Sequence, residues 1–223
     1  MRKKGLVVLL IALVSVCSVF ATDMKVGLQM GFGARTFNFS AKKESEGVVA
    51  TMDASIKNKG FYVAGMFSFE VADNVDIVSD IGINTMGNAS LSLKASTSGV
   101  NMIETEDDKA TPVNFTLLLG AMYNLPVSKE LKVGLGCGLD MMIGRLSSDD
   151  ETVDNKNVGI GLGLKALVSY SITEQISILA GGRFGWHFIN TNTSLKESFS
   201  GEGVTSSQNM ISYKIFAGAT YSL

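Results

Sequence analysis

The stretch Met210-Ile-Ser-Tyr-Lys-Ile-Phe-Ala-Gly-Ala-Thr-Tyr-Ser-Leu223 decides the fold. Its odd positions are apolar or aromatic, and most of its even positions are small or polar. This two-residue period is the pattern of a β-strand with two unlike faces. An unpaired edge strand invites further pairing, whereas closure of a sheet into a barrel removes the edge. We therefore expect residues 210–223 to pair with the first strand of the chain.

Seven other stretches alternate in the same way, beginning near residues 24, 61, 75, 113, 131, 158 and 176. Their connections alternate between long and short, which predicts an all-β fold: an eight-stranded antiparallel up-and-down β-barrel. The four long loops are expected at residues 41–59, 87–111, 145–157 and 190–209, although 89–95 alternates weakly and leaves open a continuation of the third strand. Phe37 and Phe39 fall out of phase with the first strand, which predicts a β-bulge near Arg35 and Thr36.

The start of the chain has the features of a secretory signal peptide. Arg2, Lys3 and Lys4 precede a short apolar run, and Ala21 closes a plausible cleavage site. The apolar run is shorter than the roughly 20 residues that a membrane-spanning helix needs. We therefore expect residues 1–21 to be a signal peptide and residues 22–223 to form the barrel domain.

Charge and cysteine content narrow the function classes. Without residues 1–21 the formal net charge falls from −2 to −5, because three basic residues are lost, and an acidic exported chain is a poor ligand for nucleic acid. The chain has two cysteines, Cys17 and Cys137, and only Cys137 lies outside the signal segment, so no intramolecular disulfide is expected. An alternative has Cys17 as the lipidated first residue of a lipoprotein.

The alternation alone does not say which face points outward, since a soluble ligand-binding barrel would have its apolar face inside. The polar face is dominated by glycine and other small residues, which suits the narrow interior of eight strands, whereas a water-facing surface carries about a quarter to a third charged residues. The charges on that face are of both signs and are expected to form a network in the lumen: Lys25, Arg35, Glu70, Asp76, Asp80, Lys132, Asp140, Lys165, Arg183 and Lys214.

Aromatic residues of the apolar face fall in two rows, as interfacial girdles do around a lipid-facing band. The row at the short turns is Phe69, Tyr123, Tyr170 and Tyr221. The row at the long loops is Phe61, Phe115, Trp186 and Tyr213. Along one strand the two rows lie about 26 Å apart. Because barrel strands are tilted, this corresponds to about 20 Å measured along the barrel axis.

With an apolar last residue and Tyr221 two positions before it, the closing stretch resembles the C-terminal signal of bacterial outer-membrane barrels. The whole chain after the signal resembles the small eight-stranded barrels of the OmpX, OmpW and OmpA-barrel group. The resemblance implies a location in the outer membrane, both mature termini in the periplasm, contact with outer-membrane lipid, and recognition by the barrel-insertion machinery through residues 210–223.

Function is less determined than location. We expect a structural or surface-interaction role without catalysis, cofactor or metal, a monomer, and a possible extracellular ligand at the long loops. The charge network is expected to plug the lumen, and the alternative is that it lines a channel that favours some ions. One alternative is a narrow pore or carrier for small hydrophobic solutes, as resemblance to OmpW implies; its apolar lumen patch would be Leu118, Met122, Leu167, Leu179 and Phe216. Another is a rim enzyme acting on lipid through His187, the single histidine, with Ser212 or a loop carboxylate.

Overall fold

A computed structural model describes residues 24–45, 48–97, 100–108, 113–146, 155–192 and 204–223. The predicted signal peptide and Cys17 lie outside these residues, so neither the signal nor the lipoprotein alternative is tested. The described residues form nine antiparallel strands: β1 Met24–Ser45, β2 Val48–Ala72, β3 Val75–Thr97, β4 Val100–Asp108, β5 Val113–Pro126, β6 Leu131–Leu146, β7 Asn155–Ser171, β8 Ile176–Asn192 and β9 Val204–Ser222.

Eight of these strands close into a ring, which confirms the predicted barrel. β1 pairs with β2 on one side and with β9 on the other, so that Lys25 lies opposite Ser222. The ring continues through β3, β5, β6, β7 and β8, and β4 pairs with β3 beyond it. The closing pair extends to the last residue, where the Leu223 N–H donates to the Met24 carbonyl oxygen at 2.8 Å. The ring has no open edge at this end.

Short turns and the two described ends of the chain lie at the same end of the barrel, called here the turn end. Asn74 adopts a φ of 63° in the β2–β3 turn, a left-handed conformation that asparagine tolerates better than most residues. In the next two turns, Ser128 and Thr173 accept backbone N–H groups two and three residues further along. These local hydrogen bonds fix where the chain reverses.

At the opposite end, called here the loop end, strands extend well beyond the predicted boundaries. The predicted loop 41–59 is wrong, because β1 and β2 pair up to Ser45 and Val48. Likewise β3 continues to Thr97 and β4 pairs with it, in agreement with the alternative that the third strand continues. The loops expected at 145–157 and 190–209 are also shorter than predicted, because β6 to β9 extend into them. Here the outward positions become mostly polar while apolar side chains turn inward, so the apolar outward period of the lower strands ends.

The predicted bulge near Arg35 and Thr36 is also wrong. The register is continuous there, with Arg35 opposite Asn58 and Ser212 on its two neighbouring strands. Phe37 and Phe39 lie on the same side of β1 as Arg35, and each is only 2% exposed. The interior itself changes from small and polar to aromatic at this height. The strand therefore needs no irregularity.

The apolar face of each strand points outward and the polar face points into the lumen, as expected for a membrane barrel. A soluble barrel would have the opposite arrangement. Phe32 and Ile215 are 68% and 67% exposed, whereas Asp80 and Asp140 are 0% exposed. The exposed positions are mainly leucine, isoleucine, valine and aromatic residues, on every strand of the ring. This contradicts the soluble alternative, in which the apolar face would enclose the lumen.

Candidate functional site in the barrel interior

The middle of the lumen holds a buried ion pair between Asp140 on β6 and Arg183 on β8. Arg183 donates from Nε to Asp140 Oδ2 at 2.9 Å and from Nη2 to Oδ1 at 2.6 Å. The pair crosses β7, which lies between the two strands. It can do so because Gly163 faces the lumen there: a Cβ at this glycine would lie 3.2 Å from the Asp140 Cβ and 2.6 Å from Leu118 Cδ1. Gly163 therefore makes room for the pair.

His187 belongs to the same cluster. Its Nε2 lies 3.3 Å from Asp140 Oδ1, its Nδ1 lies 3.4 Å from the Met210 carbonyl oxygen, and the residue is 0% exposed. Ser212 is close by, since a Cβ at Gly185 would lie 2.6 Å from its Oγ and 3.0 Å from His187 Cε1. In a hydrolytic triad the histidine stands between the serine and the carboxylate. Here Asp140 meets one ring nitrogen, as a triad carboxylate does, but the other nitrogen lies against the Met210 carbonyl oxygen, and the ring is buried below the rim.

A second buried pair joins opposite regions of the wall. Lys165 on β7 donates to both Asp80 carboxylate oxygens on β3 at 2.8 Å, and both side chains are fully buried. Gln29 donates to the same carboxylate at 3.3 Å. Lys165 Nζ also lies 3.4 Å from the sulfur of Met66 on β2, directly across the ring. The middle of the lumen is thus spanned by side chains from both sides.

The other predicted lumen charges do not all find partners. Lys25 and Asp76 approach to 4.0 Å at the turn end, where Glu70 accepts the Asn74 N–H at 3.3 Å. Lys132 is half-buried at that end, with no ion pair to another described residue. Two cations deeper inside also lack a carboxylate partner within the described ranges. Arg35 donates to Asn114 Oδ1 at 2.8 Å, and Lys214 Nζ lies 4.9 Å from the centre of the Tyr62 ring.

The predicted apolar lumen patch is buried but divided. Leu179 and Phe216 pack with Tyr62, Ala64 and Met66. Met122 and Leu167 pack with Val78 instead, and Leu118 lies over Gly163 beside the Asp140 pair. A third cluster at the loop end was missed by the sequence reasoning: Phe37, Phe39, Ala41, Ala54, Met142 and Met210. Following the odd positions of β1 past Arg35 would have found it.

All the predicted girdle residues but Phe69, which is partly buried, are exposed on the outer surface, at 42% or more. Phe32 also belongs to the loop-end row, since it is 68% exposed and meets Phe61 edge to face at 5.9 Å. Phe188 stands in the same way beside Trp186, at 5.8 Å. The loop-end row therefore contains edge-to-face pairs as well as single rings.

In the described part of the chain, no group of three or more His, Cys, Asp or Glu residues is placed to hold a metal ion. The same residues contain no helix long and apolar enough to cross a membrane.

Together these features define a class: an eight-stranded antiparallel β-barrel with an apolar outer surface and buried charges, as membrane-spanning barrels have. The chain matches no protein-family model and no curated protein sequence. Among solved structures it is similar to Neisserial surface protein A (NspA), at 17% identity and a TM-score of 0.50, over 86% of this chain and 97% of that one. The chain thus has the fold of the small outer-membrane β-barrel proteins.

Two further similar structures are outer-membrane proteins. OprG from Pseudomonas aeruginosa is 13% identical, with a TM-score of 0.43, over 91% of this chain and 96% of that one. The outer-membrane protease OmpT from Escherichia coli is 6% identical, with a TM-score of 0.45, over 91% of this chain and 97% of that one. At such low identity, the similarity to these two structures indicates neither an activity of this chain nor the lack of one.

Proposed function

We propose that this protein is an outer-membrane barrel with a structural or surface-interaction role, whose lumen is closed by its own side chains. The supporting observation is that opposite walls of the ring are in contact. Met142 on β6 packs in one cluster with Phe37 on β1, and these strands stand four places apart in a ring of eight. Below them, the two buried ion pairs fill the middle. A barrel of eight strands is just wide enough for its side chains to fill.

The interaction role is assigned to the loop end. There β1, β2, β3 and β4 project as paired strands beyond the aromatic row. With the loop end outside the cell, the turn end and both mature termini face the periplasm, as short turns do in outer-membrane barrels. We assign residues 210–223 to recognition by the insertion machinery and the folded chain to a monomer.

Single-channel conductance tests the closed lumen. The protein is purified from Thr22 onward, folded in detergent and added to a planar bilayer. Folding is checked on the same preparation by heat-modifiability, the difference in gel migration between unheated and boiled samples. We expect no steady openings from a heat-modifiable sample. Steady openings of uniform size from that sample would contradict the closed lumen.

Carriage of small hydrophobic solutes is a second candidate, favoured by the two apolar clusters toward the turn end. Both consist of buried, packed side chains, so a solute would have to displace them. Uptake of a fluorescent apolar solute into vesicles with and without the protein distinguishes the two functions. The closed barrel predicts equal rates, and faster uptake with protein would favour the carrier.

A lipid-modifying enzyme is the least supported function, because His187 is buried and its nitrogens meet Asp140 and a backbone carbonyl. We propose that it stabilises the barrel. Expression of the His187→Ala variant in place of the natural protein is expected to leave the lipid composition of the host unchanged. A lost or new lipid species would instead assign His187 a role in catalysis.

A further inference from the structure

Two buried cations are left over when the ion pairs in the middle of the lumen are counted. The two carboxylates there are already paired, one with Lys165 and the other with Arg183. Arg35 and Lys214 are 2% and 3% exposed, and neither forms an ion pair with a described residue. A buried charge is costly unless it is compensated. Among the described residues, the middle of the lumen therefore carries more positive than negative charge.

The two unpaired cations lie on neighbouring strands, next to Gly33. Lys214 on β9 is directly opposite Gly33, and Arg35 follows two residues later on β1. Both side chains belong to the lumen face. Diagonal neighbours of this kind lie about 7–8 Å apart. Like charges so close together in a medium of low dielectric repel each other, so a negative charge between them would be strongly attracted.

Hydrogen-bond donors without partners surround the same place. Arg35 donates from Nη1 to Asn114, but its Nε–H meets no acceptor in the described part of the chain, and the same holds for the Lys214 ammonium group. Asn58, opposite Arg35 on β2, and Asn84 on β3 are each 1% exposed, and their amide nitrogens are also unpartnered. A buried donor that lacks an acceptor destabilises the folded state. These donors thus call for an acceptor.

Gly33 leaves the space in which the donors converge. A Cβ on Gly33 would lie 2.8 Å from Asn84 Nδ2 and 3.3 Å from Lys214 Cγ. The residue opposite Gly33 on β2 is Gly60, so the Asn84 amide reaches across that strand and lies beside the stem of Lys214. The Tyr62 ring covers the ammonium group from one side, at 4.9 Å. A cation–π contact attracts the charge but does not neutralise it.

We propose that a small inorganic anion of the halide class binds in the lumen at Gly33, between Lys214, Arg35 and the amide of Asn84. It neutralises one of the two unpaired positive charges and accepts from the unpartnered N–H groups. A single-atom anion fits this place because the surrounding side chains are packed, as the full burial of Tyr62 shows. The inference goes beyond the proposed function, because it assigns a ligand to the interior of the barrel.

Urea unfolding in phospholipid vesicles, followed by the heat-modifiable gel band, tests the site with bromide as the probe. Bromide replaces gluconate, an anion too large to be enclosed among these side chains, at constant ionic strength. We expect the ratio of folded to unfolded natural protein to rise about tenfold for each tenfold increase in bromide above its Kd. The Lys214→Met variant should lose this dependence. Lys132→Met, the same change at a half-buried lysine of the turn end, is the matched control and should keep it.

A second variant, Gly33→Ala, fills the space without changing any charge and should shift the response to higher bromide concentrations. Equal bromide dependence of Lys214→Met and the natural protein would overturn the proposal, since it would show an effect of salt on the whole molecule. A response to phosphate without one to bromide would overturn the halide class.

Anomalous diffraction from crystals grown in bromide locates the ion. We expect a peak beside Lys214 Nζ. Peaks confined to the outer surface would show an adventitious ion only and would overturn the proposal. Steady openings in the conductance experiment would instead contradict the proposed closed lumen, so the two failures are distinguishable.

Discussion

Replacing Asp140 by Asn removes the negative charge that holds the middle of the lumen together. The carboxylate accepts two hydrogen bonds from Arg183, at 2.9 and 2.6 Å, and lies 3.3 Å from a His187 nitrogen. Both members of the ion pair are at most 1% exposed in their side chains. Removal of one member leaves the guanidinium buried and unpaired, which destabilises proteins by about 3–5 kcal/mol. We expect Asp140→Asn to lower the free energy of unfolding by that amount.

The assay is urea unfolding in phospholipid vesicles, followed by fluorescence of Trp186. This is the single tryptophan of the chain, and it lies on the outer surface of the strand that carries Arg183. The double variant Asp140→Asn/Arg183→Met removes the unpaired charge too and should recover part of the loss. The matched control is Asp53→Asn, an exposed carboxylate expected to change stability by at most about 0.5 kcal/mol. Unfolding of Asp140→Asn at the urea concentration of the natural protein would refute the reasoning.

Four further substitutions test other parts of the structure. Lys214→Met should keep or raise the free energy of unfolding, because no described carboxylate pairs with the Lys214 ammonium group. Lys165→Met should lower it by about 3–5 kcal/mol, because its carboxylate partner is left unpaired. Equal effects of the two variants in the urea assay would count against the described pairing. Gly138→Val should lower the heat-modifiable fraction, since a Cβ there would lie 2.5 Å from the Cα of Gly120, and a normal fraction would contradict this close strand approach. Leu164→Arg puts a charge at an outward position, 57% exposed, and should lower stability in vesicles by about 2–4 kcal/mol; an unchanged value would argue that this face does not meet lipid.

The faces of the strands could be predicted because lipid outside and charges inside impose a strict period of two. Residues 210–223 alone contain the alternation, the closing strand and Tyr213 and Tyr221, and the structure confirms the closure. Beyond the aromatic row the same reasoning failed at residues 41–59, because the alternation there is reversed: Ala54 and Ile56 pack inward with the loop-end cluster, whereas Asp53 and Lys57 are exposed on the outward face. A search for strands with an apolar outward face therefore does not detect such a segment.

The pairing of the lumen charges could not be predicted either. Asp140 and Arg183 are 43 residues apart in sequence and stand on strands that do not pair with each other. Their contact depends on the strand register and on the side-chain space that Gly163 leaves on the strand between them. The sequence showed the glycines on the inward face, and their spacing was consistent with a narrow lumen. It did not show which pair of charged side chains each glycine leaves room for.

Cys137 allows the most direct test of the central claim, that the apolar face lies in lipid. It is an exposed outward residue of β6, opposite Ala121 and Leu164, and it is the single cysteine of a chain that begins at Thr22. An environment-sensitive fluorophore attached to its sulfur is measured in vesicles with two quenchers, a spin label on the acyl chains and aqueous iodide. The account predicts strong quenching by the acyl-chain label and little by iodide. Strong quenching by iodide and none by the acyl-chain label would contradict it.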